Sequence, residues 1–127
     1  MSMKASEALL LGSVATKQGF GYQSINSPTQ PCALGAIALV SGCMTNSGKE
    51  TYSQLREVFP LLNRKAQCPD PRHDICRLQY RTLVIEQIWH LNDSHGWTRP
   101  QIAEWLQQLE QEDAVEPIPQ ERALVVV

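Results

Sequence analysis

The strongest fold signal in the sequence is the stretch WTRPQIAEWLQQL at residues 97–109. Thr98 is followed three residues later by Gln101, which is the spacing of a capping box at a helix N-terminus. Trp97 before the cap and Ile102 after it can form a hydrophobic staple. The apolar residues then repeat at helical spacing, at Ile102, Trp105, Leu106 and Leu109. The stretch therefore predicts an amphipathic helix over 98–112.

Working outward from this helix, four further segments carry helical patterns, at 4–17, 32–40, 52–62 and 75–91. Segment 32–40 is apolar on every side, which is typical of a helix inside the core. Segment 75–91 carries apolar residues on two opposite sides, so we expect it to be the central helix. The sequence thus predicts an all-α fold, a compact bundle of four to five helices around a central helix near 75–91.

Two segments leave the helical pattern. Residues 19–30 have loop chemistry that leaves room for a short strand near 20–24. Pro117 and Pro119 break the last helix, so 113–127 is predicted to be an irregular tail that follows a single helical domain over 1–112. The apolar end of this tail, ALVVV, could dock on the domain or pair with another chain.

Composition narrows the class of protein. The chain has 127 residues and a net charge of −2, with 43% apolar residues, which suits one globular domain. It lacks the basic excess of proteins that neutralise phosphates, so nucleic acid is not the expected partner. No apolar run is long enough for a membrane span. The weak resemblance of residues 4–15 to a signal peptide is outweighed by Glu7, so we expect a cytoplasmic protein with reduced thiols.

A first candidate site is catalytic and uses Cys32, His90 and Asp93. Cys32 lies at the start of a predicted helix, where a thiolate is favoured. With His90 as base and Asp93 or Asn92 to orient the imidazole, the order along the chain suits a thiol hydrolase. The competing interpretation is that Cys32 is a small buried core residue.

A second candidate is a metal site at Cys68, His73 and Cys76, which are spaced C-x4-H-x2-C. Structural zinc sites take Cys and His ligands from short loops and first helical turns, as here. Only three ligands are local, so Cys43 or His95 would have to supply the fourth. The competing interpretation is two ordinary thiols and a surface histidine, with no cofactor.

A third candidate is the segment WHLNDSHGW at 89–97, which joins two predicted helices. As a turn, it ends one helix with polar residues and places Gly96 at a positive φ. As a binding site, it would combine Asn92, Asp93 and Trp97 with Tyr22 of the earlier loop. Asn92 and Asp93 could instead tie down the loop at 19–30.

A fourth interpretation treats residues 80–110 as a helix-turn-helix that binds DNA. The second helix of such a module presents basic residues to the major groove. The last predicted helix presents Glu104, Glu110 and Glu112 instead. DNA binding is therefore an alternative and not the first hypothesis.

Several of these stretches together resemble a small family of bacterial and phage proteins. The resemblance lies in Gly19-Phe20-Gly21, in Cys32-Ala33-Leu34-Gly35-Ala36 and in Asn92-Asp93, and it covers roughly residues 5 to 110. The family's usual tryptophan before Asn-Asp is Leu91 in this chain. The resemblance implies a compact helical domain and no particular chemistry.

The first functional hypothesis is a non-enzymatic binding or regulatory module. Its partner would be another protein or a second copy of the chain, bound through the tail or the last helix. A small Cys-dependent hydrolase and a DNA-binding module are the alternatives, and a zinc-stapled module is a further one.

Overall fold

The computed structural model describes residues 3–19, 25, 31–70 and 82–115, and within these ranges the chain is mostly helical. The all-α prediction is confirmed. The helices are α1 (Ala5–Ala15), α2 (Ala33–Ser41), α3 (Gly48–Val58), α4 (Val84–Asp93) and α5 (Arg99–Val115). A 3₁₀ helix (Pro60–Asn63) follows α3, and two short strands, β1 (Lys65–Ala66) and β2 (Thr82–Leu83), precede α4. Helices α1, α2 and α5 agree with their predicted ranges to within three residues at each end.

The start of α5 is built as its sequence predicts. The backbone N–H of Thr98 donates to Oε1 of Gln101 at 2.8 Å, and the N–H of Gln101 donates to the Thr98 hydroxyl at 3.3 Å. Gly96 has a φ of +66°, and the Trp97 N–H donates to the carbonyl of Leu91. The turn between α4 and α5 is therefore fixed by local chemistry at both of its ends.

The prediction for the central helix is wrong at its N-terminal side. Residues 82 and 83 form strand β2 instead of helix, and α4 begins at Val84; residues 75–81 of the predicted helix lie outside the described part of the chain. Strand β2 pairs antiparallel with β1, with Lys65 opposite Leu83. α4 does hold the predicted central place, since it contacts α2, α5, the 3₁₀ helix and both strands.

The third helix is displaced relative to its predicted range of 52–62. It begins four residues earlier because the Ser47 hydroxyl accepts a hydrogen bond from the Glu50 N–H and caps the helix. It ends at Val58 because Pro60 cannot continue an α-helix and instead begins the 3₁₀ helix.

Helix α1 packs on α2 and on α5. Gly12 of α1 lies directly against Ala36 of α2: a Cβ placed on Gly12 would lie 2.6 Å from the Ala36 carbonyl oxygen. Such a short distance means that only glycine lets the two backbones approach this closely.

Helices α1 and α5 run antiparallel and are joined by polar contacts at both ends. Near the start of α1, the Glu110 carboxylate accepts hydrogen bonds from the N–H and the hydroxyl of Ser6, at 3.0 and 2.6 Å. At the other end, the buried Arg99 guanidinium donates to the hydroxyl and the carbonyl of Thr16 and to the carbonyl of Ser13. A cation at a helix C-terminus meets the negative end of the helix dipole, so Arg99 closes α1 favourably.

The expected strand near 20–24 lies outside the described residues. Of the predicted tail at 113–127, residues 113–115 form the last turn of α5, and the rest lies outside the described residues. Among the helices that are described, none has both the length and the apolar character needed to cross a membrane.

Candidate metal centre

Three side chains with nitrogen or sulfur donors converge beside α4. One donor atom each from Cys68, His90 and His95 lies within 4.8 Å of the other two. All three are shielded from solvent: Cys68 is 5% exposed, His90 is 8% exposed and the His95 side chain is 6% exposed. The imidazoles of His90 and His95 meet edge to face, with their ring centroids 4.6 Å apart.

Two different segments of backbone bring these donors together. Cys68 lies two residues after β1, and β1 is held to α4 because the Gln87 side chain donates to the Ala66 carbonyl at 3.1 Å. His90 lies in the last turn of α4, where its carbonyl accepts from the Ser94 N–H. The turn that follows then brings His95 back beside His90. The site thus joins the loop after β1 to the end of α4.

A buried carboxylate lies next to the donors. Asp70 is 2% exposed, and its Oδ2 lies 3.3 Å from Nδ1 of His95. The same oxygen accepts a hydrogen bond from the Trp97 indole N–H at 2.7 Å. A charge-assisted bond of this kind favours the ionised form of a buried carboxylate. Asp70 is therefore fixed in place by Trp97 on one side and faces a histidine of the cluster on the other.

The donor set is the kind that zinc binds in proteins, since zinc accepts thiolate sulfur and imidazole nitrogen in a tetrahedral arrangement. Zinc–ligand distances of about 2.0–2.3 Å place neighbouring ligand atoms about 3.3–3.6 Å apart. The donor atoms here, within 4.8 Å of one another, would need to close by roughly 1 Å. Rotation of the side chains can supply a movement of that size.

The protonation of His90 gives the metal-free protein a measurable pH dependence. Burial lowers the pKa of His90 below 6.5, the neighbouring His95 lowers it further, and Asp70 partly opposes both effects. The unfolded chain therefore binds a proton at His90 more readily than the folded one does. We expect the free energy of unfolding to be highest above about pH 6.5 and to fall as the pH drops below it.

Urea unfolding of the chelator-treated protein between pH 7.5 and pH 5 measures this dependence. The variant His90→Gln should show a shallower fall in stability over the same range. Equal slopes in the two proteins would show that His90 is not the group responsible.

The cluster contains two of the residues that the sequence analysis considered as metal ligands. Cys68 belongs to the cluster, and so does His95, one of the two residues considered as a distant fourth ligand. The predicted ligands His73 and Cys76 lie outside the described residues. His90 was expected to act as a base, and its place beside Cys68 has no signal in the local spacing.

Of the predicted catalytic residues Cys32, His90 and Asp93, Cys32 is buried at the N-cap of α2, near the buried Arg99. Burial lowers the pKa of Arg99, and negative charge on the Cys32 sulfur opposes that shift. A thiol at a helix N-terminus beside a guanidinium is a good position for a thiolate. The pairing of Cys32 with His90 and Asp93 stays a prediction.

The predicted binding residues have structural partners. Asn92 is fully buried, and its side-chain oxygen accepts from the Ala33 N–H at 3.1 Å and from the Gln18 amide at 2.9 Å. Its amide group donates to the Gly19 carbonyl at 3.0 Å and to Oδ1 of Asp93 at 2.8 Å. Asn92 thus ties the start of the loop at 19–30 to α2 and α4. Trp97 is half-buried against Asp70, and Tyr22 lies outside the described residues.

The outer face of α5 bears on the DNA-binding alternative. Through residue 112, its exposed side chains are neutral or acidic: Pro100, Gln101, Glu104, Gln107, Gln108, Gln111 and Glu112. Arg99, the basic residue of this helix, is buried against α1. A helix that enters the major groove needs basic or amide groups with a positive surrounding surface, so this face gives DNA binding little support.

The chain was also compared with known proteins. No protein-family model matches it, and no curated protein or solved structure matches it at a significant level.

Proposed function

We propose that this chain is a small helical binding module that is stapled by one zinc ion, held by Cys68, His90 and His95. The observation that carries the proposal is the convergence of one thiol and two imidazoles within 4.8 Å in a buried position. Zinc is the first choice because this donor set mixes sulfur with nitrogen.

The role proposed for the ion is structural. All three ligands are largely shielded from solvent, whereas a catalytic zinc keeps a position open to substrate and water. The ion would connect the loop after β1 with the end of α4 and with the turn that begins α5. Within the described residues, these segments are also connected by the Gln87–Ala66 and Asp70–Trp97 hydrogen bonds and by the Asp70–His95 pair.

The wider role that we propose is binding of a protein partner or a second copy of the chain. Apolar side chains on the outer face of α1 support this role, since Leu11 is 52% and Val14 87% exposed. Apolar side chains that share one exposed helix face are a common feature of interaction surfaces.

Zinc titration of the chelator-treated full chain tests the metal site. We expect one equivalent to bind, and at free zinc about 30 times the dissociation constant the free energy of unfolding should rise by about 2 kcal/mol. Cys68→Ala and His95→Gln should each weaken binding by about 100-fold or more, because each removes one of three ligands. Calorimetry with a competing chelator measures the affinities.

Cys43→Ala is the matched control, because Cys43 is also a buried thiol but is not part of the cluster. It should bind zinc as the natural sequence does. His73→Ala and Cys76→Ala test the ligands predicted from the sequence in the same assay. Failure of the natural sequence to bind zinc, or equal binding by Cys68→Ala, would refute the proposed site.

A further inference from the structure

Asp70 lies beside the cluster of Cys68, His90 and His95 but is not one of its three donors. Its carboxylate is 2% exposed and lies between two side chains of the turn that begins α5, His95 and Trp97. A buried carboxylate is costly unless its charge is compensated. The position of the Asp70 carboxylate therefore indicates that its charge acts on His95.

The first task concerns the orientation of His95. Oδ2 of Asp70 lies 3.3 Å from Nδ1 of His95, just beyond the usual N–H···O range of about 2.7–3.2 Å. A proton on Nδ1 that faces the carboxylate leaves Nε2 with its lone pair available. Nε2 of His95 is shielded from solvent on the opposite side of the ring. Histidines that bind metals are commonly held by a carboxylate in this way.

The second task concerns charge. A bound ion would meet one negative charge on the Cys68 thiolate and a second one on Asp70, both in a buried region. Two negative charges balance a divalent cation, whereas a monovalent ion such as copper(I) leaves one of them uncompensated. Copper(I) otherwise suits thiolate and imidazole ligands, so ligand type alone does not distinguish the two ions.

We propose that Asp70 is the positioning residue of this centre: it turns Nε2 of His95 towards the ion, and its charge makes the site select divalent zinc over copper(I). This inference rests on the proposed zinc site and adds its selectivity. Trp97 acts through Asp70, because its indole N–H donates to the carboxylate and holds it in place.

The test compares the affinities of Asp70→Asn and of the natural sequence for zinc and for copper(I), each set against a competing chelator. Asparagine keeps the shape of the side chain but removes its charge. We expect zinc binding to weaken by about 10- to 100-fold, which is the usual effect of losing the carboxylate behind a ligating histidine. Copper(I) binding should change less, so the ratio of the two affinities should fall by roughly tenfold or more.

Glu104→Gln is the control for the loss of one carboxylate charge, since Glu104 is exposed on α5 and is not part of the cluster. It should leave both affinities as they are. The cobalt(II) form supplies a spectroscopic readout: the thiolate charge-transfer band and the coordination number should be the same in Asp70→Asn as in the natural sequence. Trp97→Phe, which removes the donor and keeps the carboxylate, should weaken zinc binding in the same direction if Asp70→Asn does not fold.

Three results would overturn the inference. Unchanged zinc affinity in both Asp70→Asn and Trp97→Phe would show that the carboxylate does not position His95. An equal loss of zinc and copper(I) affinity would show that it does not select by charge. A lower coordination number in cobalt-loaded Asp70→Asn would make Asp70 a ligand instead. Absence of metal binding by the natural sequence is a separate result, because it removes the proposed zinc site itself.

Discussion

Asn92→Ala is expected to lower the free energy of unfolding by about 3–5 kcal/mol. The Asn92 side chain is fully buried and makes four hydrogen bonds, two as acceptor and two as donor. Alanine would leave the Ala33 N–H and the Gly19 carbonyl without this partner. Each buried polar group that loses its partner costs about 1–3 kcal/mol. Urea unfolding followed by circular dichroism measures the loss.

Asn63→Ala is the control for this prediction. Asn63 is exposed, and its side-chain oxygen accepts one hydrogen bond from Arg56 at 2.9 Å. A surface contact of this kind contributes little, so the loss should stay within about 0.5 kcal/mol. Asn92→Asp should cost at least as much as Asn92→Ala, because it buries a carboxylate whose oxygen faces the Gly19 carbonyl and the Asp93 carboxylate. Equal stabilities of Asn92→Ala and Asn63→Ala would show that the buried network contributes little.

Gly12→Ala is expected to destabilise the protein by about 2–3 kcal/mol, the upper part of the range for overpacking. The sign of this change in stability is informative, because replacing glycine with alanine in an unobstructed helix stabilises the protein by up to about 1 kcal/mol. Here the added Cβ would lie 2.6 Å from the carbonyl oxygen and 2.8 Å from the Cβ of Ala36. Backbone cannot rotate out of the way, so α1 and α2 must separate along their shared surface. Gly12→Val should cost more.

Thermal and urea unfolding of the two glycine variants give the size of this effect. Ala15→Val adds bulk on an exposed position of the same helix, and its cost should stay below about 1 kcal/mol, the range of helix propensities. A gain in stability for Gly12→Ala would show that α1 and α2 lie further apart than the structure has them.

Local chemistry explains what the sequence predicted well. The capping box of Thr98 and Gln101 and the positive φ of Gly96 are set by residues within a few positions of one another. The apolar run at 32–40 predicts a core helix for the same reason, since nothing distant is needed to interpret it. These features lie in α2, in α5 and in the turn before α5.

The features that the sequence analysis did not predict have a common physical cause, which is contact between residues far apart in the chain. Thr82 and Leu83 continue the helical pattern of 75–91, and only the presence of Lys65 and Ala66 opposite them makes them a strand. His90 is 22 positions from Cys68, and no spacing rule joins a helix end to a loop so far away. Asp70 follows Cys68 by two positions and was overlooked because its task depends on His95 and Trp97.

The antiparallel contact of α1 with α5 also has a consequence for biosynthesis. Arg99 reaches Thr16 across 83 positions, and Glu110 reaches Ser6 across 104. Helix α1 therefore leaves the ribosome well before α5, and the part of its surface that α5 covers has to wait for α5 to be made. Until then, the side of α1 that packs on α5 is open to chaperones and to misassembly. Contacts between such distant positions also slow folding, because the long intervening loop has to close first.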